Sequence, residues 1–222
     1  MVSCQKGCGA ITGPLAVDPA SGQVFRLSGQ PPSPYPPFNV YASPDGALWI
    51  TYWPGDHPRP AMVARSIDRG ATWRTSQAPE GTTSSGVAAV NGQEAYLLTE
   101  PLPVDRNEPP PTRPSRLLHT ANGGQSWQDV ATDLPTSSEV RSFAVGSDGS
   151  LMVVDERDGA SDLLISRDGG LHFATQRQHT GNGGFGACPG RAWLYDERSP
   201  IGTDLVQTTT DGLTWTRLQL PG

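Results

Sequence analysis

An all-β fold built from repeated units is predicted by three features of this 222-residue sequence. Short apolar runs are separated by turns rich in glycine and proline, and no window carries a sustained helical stripe of apolar residues. A hairpin turn between two apolar runs occurs four times. A second turn, which ends in an aromatic residue, also occurs four times and lies out of phase with the first. Repetition of this kind is typical of solenoids, propellers and arrays.

The first turn predicts an inner hairpin in every unit. It carries Asp-Gly, Asn-Gly or Pro-Gly between two apolar arms, which is a strong hairpin signal. Because both arms are apolar, they should lie near the centre of the fold. The four copies occupy residues 40–53, 87–100, 143–156 and 185–197.

The second turn predicts an outer hairpin. Its copies are "SIDRGATW" (66–73), "TANGGQSW" (120–127), "SRDGGLHF" (166–173) and "TTDGLTW" (209–215). Two hairpins give four antiparallel strands in each unit, and radial repetition of such units predicts a β-propeller. Complete blades are predicted at about 38–76, 84–132, 139–177 and 183–220.

The N-terminal region departs from this pattern. Residues 10–29 resemble one further inner hairpin without an outer hairpin, and the proline-rich stretch after them predicts a stiff connector. We therefore expect a single domain, residues 1–222, with about four complete blades and an N-terminal half-blade. The half-blade suggests either part of a larger ring or a small ring with one degenerate blade. An open ring would expose edge strands and favour self-association.

The residues of the second turn have a mechanical explanation. The Asp or Asn oxygen can accept backbone N–H groups, the Ser or Thr hydroxyl can bond across the turn, and the glycine can take a positive φ. The final aromatic ring can pack against the blades. We therefore assign a structural role to Ser66, Asp68, Gly70, Trp73, Asn122, Gly124, Trp127, Ser166, Asp168, Gly170, Phe173, Asp211, Gly212 and Trp215.

The stretch "SIDRGATW" also resembles the Asp-box, S-x-D-x-G-x-T-W, of the sialidase-like (BNR-repeat) β-propellers. The other three copies are degenerate versions, and the resemblance covers residues 38–220. It implies that the boxes lie on the outer edge, away from any catalytic centre. The superfamily contains both glycoside hydrolases and propellers that are not sialidases, so the resemblance predicts a fold and leaves the function open.

The opposite end of the propeller should carry the binding loops. The links between second and third strands fall there, at 53–62, 100–116, 156–162 and 196–204. Aligning the blades on the inner turn places carboxylates and their neighbours at equivalent strand ends. The candidate ligand-binding residues are Trp53, Glu100, Arg141, Asp155, Glu156, Arg157, Tyr195, Asp196, Glu197 and Arg198. Two interpretations stay open. The carboxylates form a ring around the channel mouth that binds a ligand, or they are polar strand-end residues that recur only because the sequence is repeated.

A sialidase would need an arginine triad, a tyrosine nucleophile with a glutamate partner, and an aspartate acid/base. The superfamily's Phe/Tyr-Arg-Ile-Pro motif is absent, and "VFRLSG" at 24–29 is a loose echo of it. Arg141, Arg191, Tyr195 and Glu197 could be arranged into a site, but their spacing does not require it. Catalytic residues therefore stay unassigned.

Composition and charge argue against several other classes of protein. The net charge is −6 and the 16 basic residues are scattered, which is unlike a nucleic-acid footprint. No apolar run approaches the length of a membrane span. No metal site is indicated, because no histidine or cysteine has partners at ligand spacing, and no motif indicates a cofactor. Cys4 and Cys8 would form a disulfide in an oxidising compartment, or else stay as two small residues.

We therefore expect a non-catalytic sialidase-like propeller that binds a glycan or a protein through its loop-rich end. The expected location is extracellular or in the cell envelope. The alternative is a sialidase-like glycoside hydrolase with part of its active site missing from this chain.

Overall fold

The computed structural model of the chain describes residues 15–17, 23–31, 37–52, 62–79, 82–101, 116–135, 139–157, 159–180, 183–196 and 205–218. These residues form one two-stranded and four four-stranded antiparallel sheets, and none of them is helical. The two-stranded sheet pairs β1 (Leu15–Val17) with β2 (Val24–Arg26). The four larger sheets are the blades, and the all-β propeller predicted from the sequence is confirmed.

Each blade contains four consecutive strands in sequence order. Blade 1 comprises β3 (Pro37–Ala42), β4 (Leu48–Tyr52), β5 (Met62–Ser66) and β6 (Arg74–Gln77). Blade 2 comprises β7 (Thr82–Ala89), β8 (Ala95–Pro101), β9 (Arg116–Thr120) and β10 (Gln128–Val130). Blade 3 comprises β11 (Glu139–Val145), β12 (Leu151–Arg157), β13 (Ala160–Ser166) and β14 (Ala174–Thr180). Blade 4 comprises β15 (Gly183–Cys188), β16 (Arg191–Asp196), β17 (Leu205–Thr209) and β18 (Thr216–Arg217).

The first strand of each blade is the inner one. β3 packs against β7, β7 against β11, and β11 against β15. The inner turns and the Asp-boxes therefore lie at one end of the propeller, which we call the box end. The links between second and third strands lie at the other end, which we call the link end.

The core lies between the blades, because the inner three strands of each blade are apolar on the surfaces that stack. One continuous cluster of buried side chains runs through all four blades, and its largest fully buried members include Trp49, Leu97, Leu117, Met152 and Leu163. A second, smaller cluster of Ile50, Tyr52 and Ala64, with Met62 and Trp73 packed against it, belongs to blade 1 alone.

The segment that follows the N-terminal hairpin contacts the first Asp-box of blade 1. Gly29, three residues after β2, donates its N–H to Gly70 O at 2.8 Å in the first Asp-box. Asp133, three residues after the outermost strand β10, donates its N–H to Leu171 O at 3.1 Å in the third Asp-box. The acceptors are the fifth residue of the first box and the sixth residue of the third box, so the two contacts are similar but not equivalent. The half-blade predicted from the sequence stays a prediction.

The centre of the propeller is filled near the box end by a tyrosine. Tyr41 on β3 of blade 1 is buried, and its hydroxyl oxygen accepts the Val145 N–H of blade 3 at 2.9 Å. Burial raises the pKa of Tyr41 to about 12. Gly190 of blade 4 in turn donates its N–H to Val145 O at 2.8 Å. Three blades therefore meet around this tyrosine.

The second-to-third-strand link of blade 3 is shorter than the sequence suggested. β12 continues to Arg157 and β13 begins at Ala160, so the predicted link 156–162 is mostly strand. Asp155 and Glu156 therefore occupy ladder positions, paired with Asp162 and Ser161 on β13. The prediction failed because polar residues at a strand end look like a loop when their pairing partners are unknown.

Candidate functional site

The Asp-boxes at the box end are held by their own hydrogen bonds. In the third box, Ser166 Oγ donates to Asp168 Oδ1 at 2.8 Å and accepts the Gly170 N–H at 2.9 Å. The His172 N–H donates to Asp168 Oδ1 at 3.0 Å, and the His172 imidazole lies 2.6 Å from Asp168 Oδ2. The Asp168 carboxylate therefore makes its hydrogen bonds within the turn.

The same pattern fixes the first box and explains its electrostatics. Thr72 donates both its hydroxyl (2.6 Å) and its N–H (2.8 Å) to the Asp68 carboxylate, and Ser66 Oγ donates at 2.8 Å. These bonds stabilise the charged carboxylate and lower the pKa of Asp68 to about 2, and the bond from the Thr72 hydroxyl has the largest effect. In the third box, the bonds from the His172 N–H, the His172 imidazole and the Ser166 hydroxyl hold the pKa of Asp168 well below its usual value. Both carboxylates are therefore charged acceptors at neutral pH.

The second, third and fourth boxes also connect their blades to the preceding ones. Trp127 of the second box meets Trp49 of blade 1 edge to face at 6.4 Å between ring centroids. Phe173 of the third box donates its N–H to Asp133 Oδ1 after blade 2 at 2.7 Å. In the fourth box, the Arg177 guanidinium of blade 3 lies 4.6 Å from the Trp215 ring centroid. The boxes thus form the outer part of the blade seams.

At the link end, two of the predicted ligand-binding residues lie at the seam between blades 3 and 4. Tyr195 on β16 is 37% exposed and is the cross-strand partner of Gly184 on β15. A Cβ atom at Gly184 would lie 3.8 Å from Oε1 of Glu156, which is half-buried on β12 of blade 3. An aromatic ring and a carboxylate from two blades therefore flank one glycine.

Asp155 has a different environment from the solvent-facing ring that the sequence suggested. It is 1% exposed. Its cross-strand partner Asp162 is half-buried and accepts the Gln178 side-chain amide at 3.2 Å. A buried position on a central strand makes Asp155 part of the interior of blade 3.

The other candidates lie wholly or partly outside the described residues. Trp53, Glu197 and Arg198 lie outside the described residues, as do Cys4 and Cys8. Glu100, Arg141, Arg157 and Asp196 have backbone positions in β8, β11, β12 and β16, and their side chains lie outside the described part. Whether these residues form a ring around the channel mouth stays a prediction.

Within the described ranges, no group of three histidine, cysteine or acidic residues is placed to hold a metal ion. No helix long and apolar enough to span a bilayer occurs in the same part of the chain. Of the histidines, His119 contacts Glu94 at 3.2 Å and His172 contacts Asp168.

One group of residues was missed by the sequence analysis altogether. A groove of about 360 Å³ lies at the rim between blades 1 and 2, and it is lined by Arg65, Arg74, Thr75, Ser76, Gln77, Gly123 and Gln125. The two arginines are nine positions apart in the sequence, and the register of β5 and β6 makes them direct partners. The sequence did contain a signal for this pair, because the fixed length of the Asp-box between β5 and β6 sets which residues of the two strands lie opposite each other.

Comparisons with known proteins agree with the fold. No protein-family model matches the sequence, and no curated protein matches it. A Dyadobacter fermentans protein of unknown function matches with a TM-score of 0.52 and 15% identity, over 85% of this chain and 66% of that one. YCF48 bound to a D1 peptide matches with a TM-score of 0.48 and 14% identity, over 82% and 66% of the two chains. A Trypanosoma rangeli sialidase matches with a TM-score of 0.49 and 17% identity, over 89% and 39%.

The present chain thus spans 39% to 66% of the length of these proteins. At such low identity the likeness is one of fold, and it shows nothing about binding or catalysis.

Proposed function

We propose that this protein is a non-catalytic binding propeller that recognises a glycan or a protein segment at its link end. The observation that carries the proposal is the seam between blades 3 and 4, where Tyr195 and Glu156 flank Gly184. Sites of this kind combine an aromatic surface with a few fixed polar groups.

The chemistry of these side chains suits a hydroxyl- or amide-rich ligand. A tyrosine ring offers a flat apolar surface for a sugar or a side chain, with a polar hydroxyl at its edge. A carboxylate can accept several hydrogen bonds from sugar hydroxyls or backbone N–H groups, and charge-assisted bonds are stronger than neutral ones. The lack of a side chain at Gly184 leaves room between them.

The scaffold supports a preformed site. Glu156 and Tyr195 each lie on the second strand of a blade, paired on both sides in the ladder. Phe185, next to Gly184, donates its N–H to Ser161 Oγ of blade 3 at 3.1 Å, which locks the two blades together at this point. A rigid seam limits the entropy lost on binding.

The structure of the box end also favours the link end as the ligand-binding face. The Asp68 and Asp168 carboxylates at the box end are engaged in hydrogen bonds within their turns, and Tyr41 fills the centre there. We place the protein outside the cell or in the cell envelope, where glycan ligands are abundant. This location is part of the proposal, and cell fractionation with a specific antibody tests it.

A glycan array followed by titration of the best ligand tests the proposed binding. Tyr195→Ala and Glu156→Gln should each weaken binding by about tenfold or more, because each removes stacking or charge-assisted hydrogen bonds. Gly184→Ala should also weaken binding while the fold is retained, because its Cβ would come no closer than 3.4 Å to the protein.

The matched controls lie at the box end. Leu213→Ala removes an apolar side chain that is 66% exposed, and Glu94→Gln removes a carboxylate beside His119. Both controls should bind like the parent protein. Equal weakening by the controls, or unchanged binding by all three seam variants, would refute this site. Turnover of a glycoside by the parent protein would instead support the hydrolase hypothesis.

A further inference from the structure

A pair of arginines faces each other across the outer strands of blade 1. Arg65 on β5 and Arg74 on β6 are cross-strand partners, and both line the groove at the rim between blades 1 and 2. Like charges directly opposite each other destabilise a sheet. Among the described residues, no carboxylate forms an ion pair with either guanidinium.

The repeat itself does not require this pair. At the equivalent positions, blade 2 has His119 and Gln128, blade 3 has Ile165 and Ala174, and blade 4 has Thr208 and Thr216. None of these pairs brings two permanent positive charges together. The arginine pair is thus peculiar to blade 1 among the four blades.

Blade 2 also shows how a cation at this position can be balanced within the fold. His119, the counterpart of Arg65, lies 3.2 Å from Glu94. The counterpart of Glu94 in blade 1 is Ala47, since Leu48 pairs with Ser66 as Ala95 pairs with Thr120. Blade 1 therefore lacks the carboxylate that blade 2 supplies.

The surroundings of Arg65 hold its guanidinium in place without neutralising it. The residue is 7% exposed, and its guanidinium lies 5.8 Å from the Trp49 ring centroid. Its Nη1 donates to Gly92 O and, at 3.3 Å, to Gln93 Oε1, while its Nε has no acceptor. Burial, and then the charge of Arg74, lower the pKa of Arg65. A buried charge of this kind is costly unless an opposite charge is near.

We propose that this groove binds an oxyanion, the sulfate, phosphate or carboxylate group of a small polar ligand, between Arg65 and Arg74. Guanidinium groups match the geometry of such oxygens, and two of them can bind one anion from two sides. Ser76, which lies on the same face of β6 as Arg74, and Gln125 of the second box supply further polar side chains to the lining of the groove. Its volume of about 360 Å³ leaves space for more of the ligand than the anionic group.

Calorimetric titration with sodium sulfate, sodium phosphate and sodium glucuronate, each at constant chloride, tests this site and separates the sources of the anion. We expect saturable binding of at least one of them by the parent protein. Arg74→Gln should reduce the affinity about tenfold or more, because Arg74 is exposed and supplies charge-assisted bonds. Arg217→Gln is the matched control, since Arg217 is exposed on the outermost strand of blade 4, and it should bind like the parent.

Thermal unfolding in the same three salts gives a second readout. Millimolar anion should raise the melting temperature of the parent and of Arg217→Gln but not that of Arg74→Gln. Sulfate stabilises proteins generally at high concentration, so a rise shared by all three proteins would count against the site. Absence of saturable binding of all three anions, or equal affinity in Arg74→Gln, would overturn the proposal.

Discussion

At the scale of single residues, the third Asp-box contains a titratable group where the first box has a hydroxyl. His172 and Thr72 occupy the same place in their boxes, and each contacts the box carboxylate at 2.6 Å. The bond to Asp168, followed by the charge of the same carboxylate, raises the pKa of His172 above its usual 6.5. The third box should therefore respond to pH in a range where the first does not.

The sign of that response follows from linkage. A group whose pKa is raised on folding adds stability below its unfolded pKa and loses that contribution as the pH rises through the folded value. We expect His172→Thr to flatten the pH dependence of stability above about pH 6.5. The effect should be small, because the His172 side chain is 77% exposed.

Thermal unfolding of the parent and His172→Thr at several pH values from 5 to 9 measures this difference, and the substitution restores the chemistry of the first box. The melting temperature of the parent should exceed that of the variant by the largest amount at the acidic end of this range. A variant that loses equal stability at every pH would mean that His172 acts through packing, not through charge.

At the scale of elements, the strands were predictable because local chemistry decides them. Asn-Gly and Asp-Gly turns between apolar arms fix hairpins, and the box residues satisfy their own turn. Contacts between residues of different elements were harder to predict from the sequence. The burial of Asp155 and the pairing of Arg65 with Arg74 depend on register and on the stacking of neighbouring blades. The Tyr195–Glu156 seam was predicted only as two separate strand-end residues, because no local pattern tells which blades meet.

The seams between blades can be tested with a pair of glycines that differ in their surroundings. Gly170 and Gly149 both have positive φ, 91° and 83°. A Cβ at Gly170 would collide with Leu117 of blade 2, whereas a Cβ at Gly149 would meet nothing within 4 Å. Both alanine variants should pay about 1–2 kcal/mol for the left-handed backbone. Gly170→Ala should lose about 1–3 kcal/mol more, because overpacking displaces Leu117.

Urea denaturation of the two variants measures the extra loss as the difference between them. Since the backbone cost is shared, that difference reports the steric contacts at Gly170, chiefly with Leu117 of blade 2 and then with Leu151 of blade 3. Equal destabilisation of Gly170→Ala and Gly149→Ala would show that the seam absorbs a methyl group and is packed loosely there.

At the scale of the whole molecule, the four blades share one core, and blade 1 carries a second one on its far side. The small cluster of Ile50, Tyr52 and Ala64 is separate from the core that runs through all four blades. The segment after β2 covers this side: Leu27 is 8% exposed and packs against Gly70, and Trp73 Nε1 donates to Gly29 O at 3.2 Å. The inner part of the same side is open, since Val40 on β3 is 53% exposed.

This arrangement gives blade 1 a stability that depends on the N-terminal hairpin. Removing a well-packed leucine side chain costs about 2–5 kcal/mol. We expect Leu27→Ala to destabilise the protein by an amount in that range and to act mainly on blade 1, because in repeat folds each unit contacts chiefly its neighbours. Hydrogen exchange followed by mass spectrometry should show faster exchange in β4 and β5, while β12 and β13 of blade 3 keep their protection. Leu15→Ala on the same hairpin is the control, since Leu15 is 41% exposed and its loss should change exchange little. If β12 and β13 lost protection as much as β4 and β5, the propeller would unfold as a single cooperative unit, and the hairpin would stabilise all four blades equally.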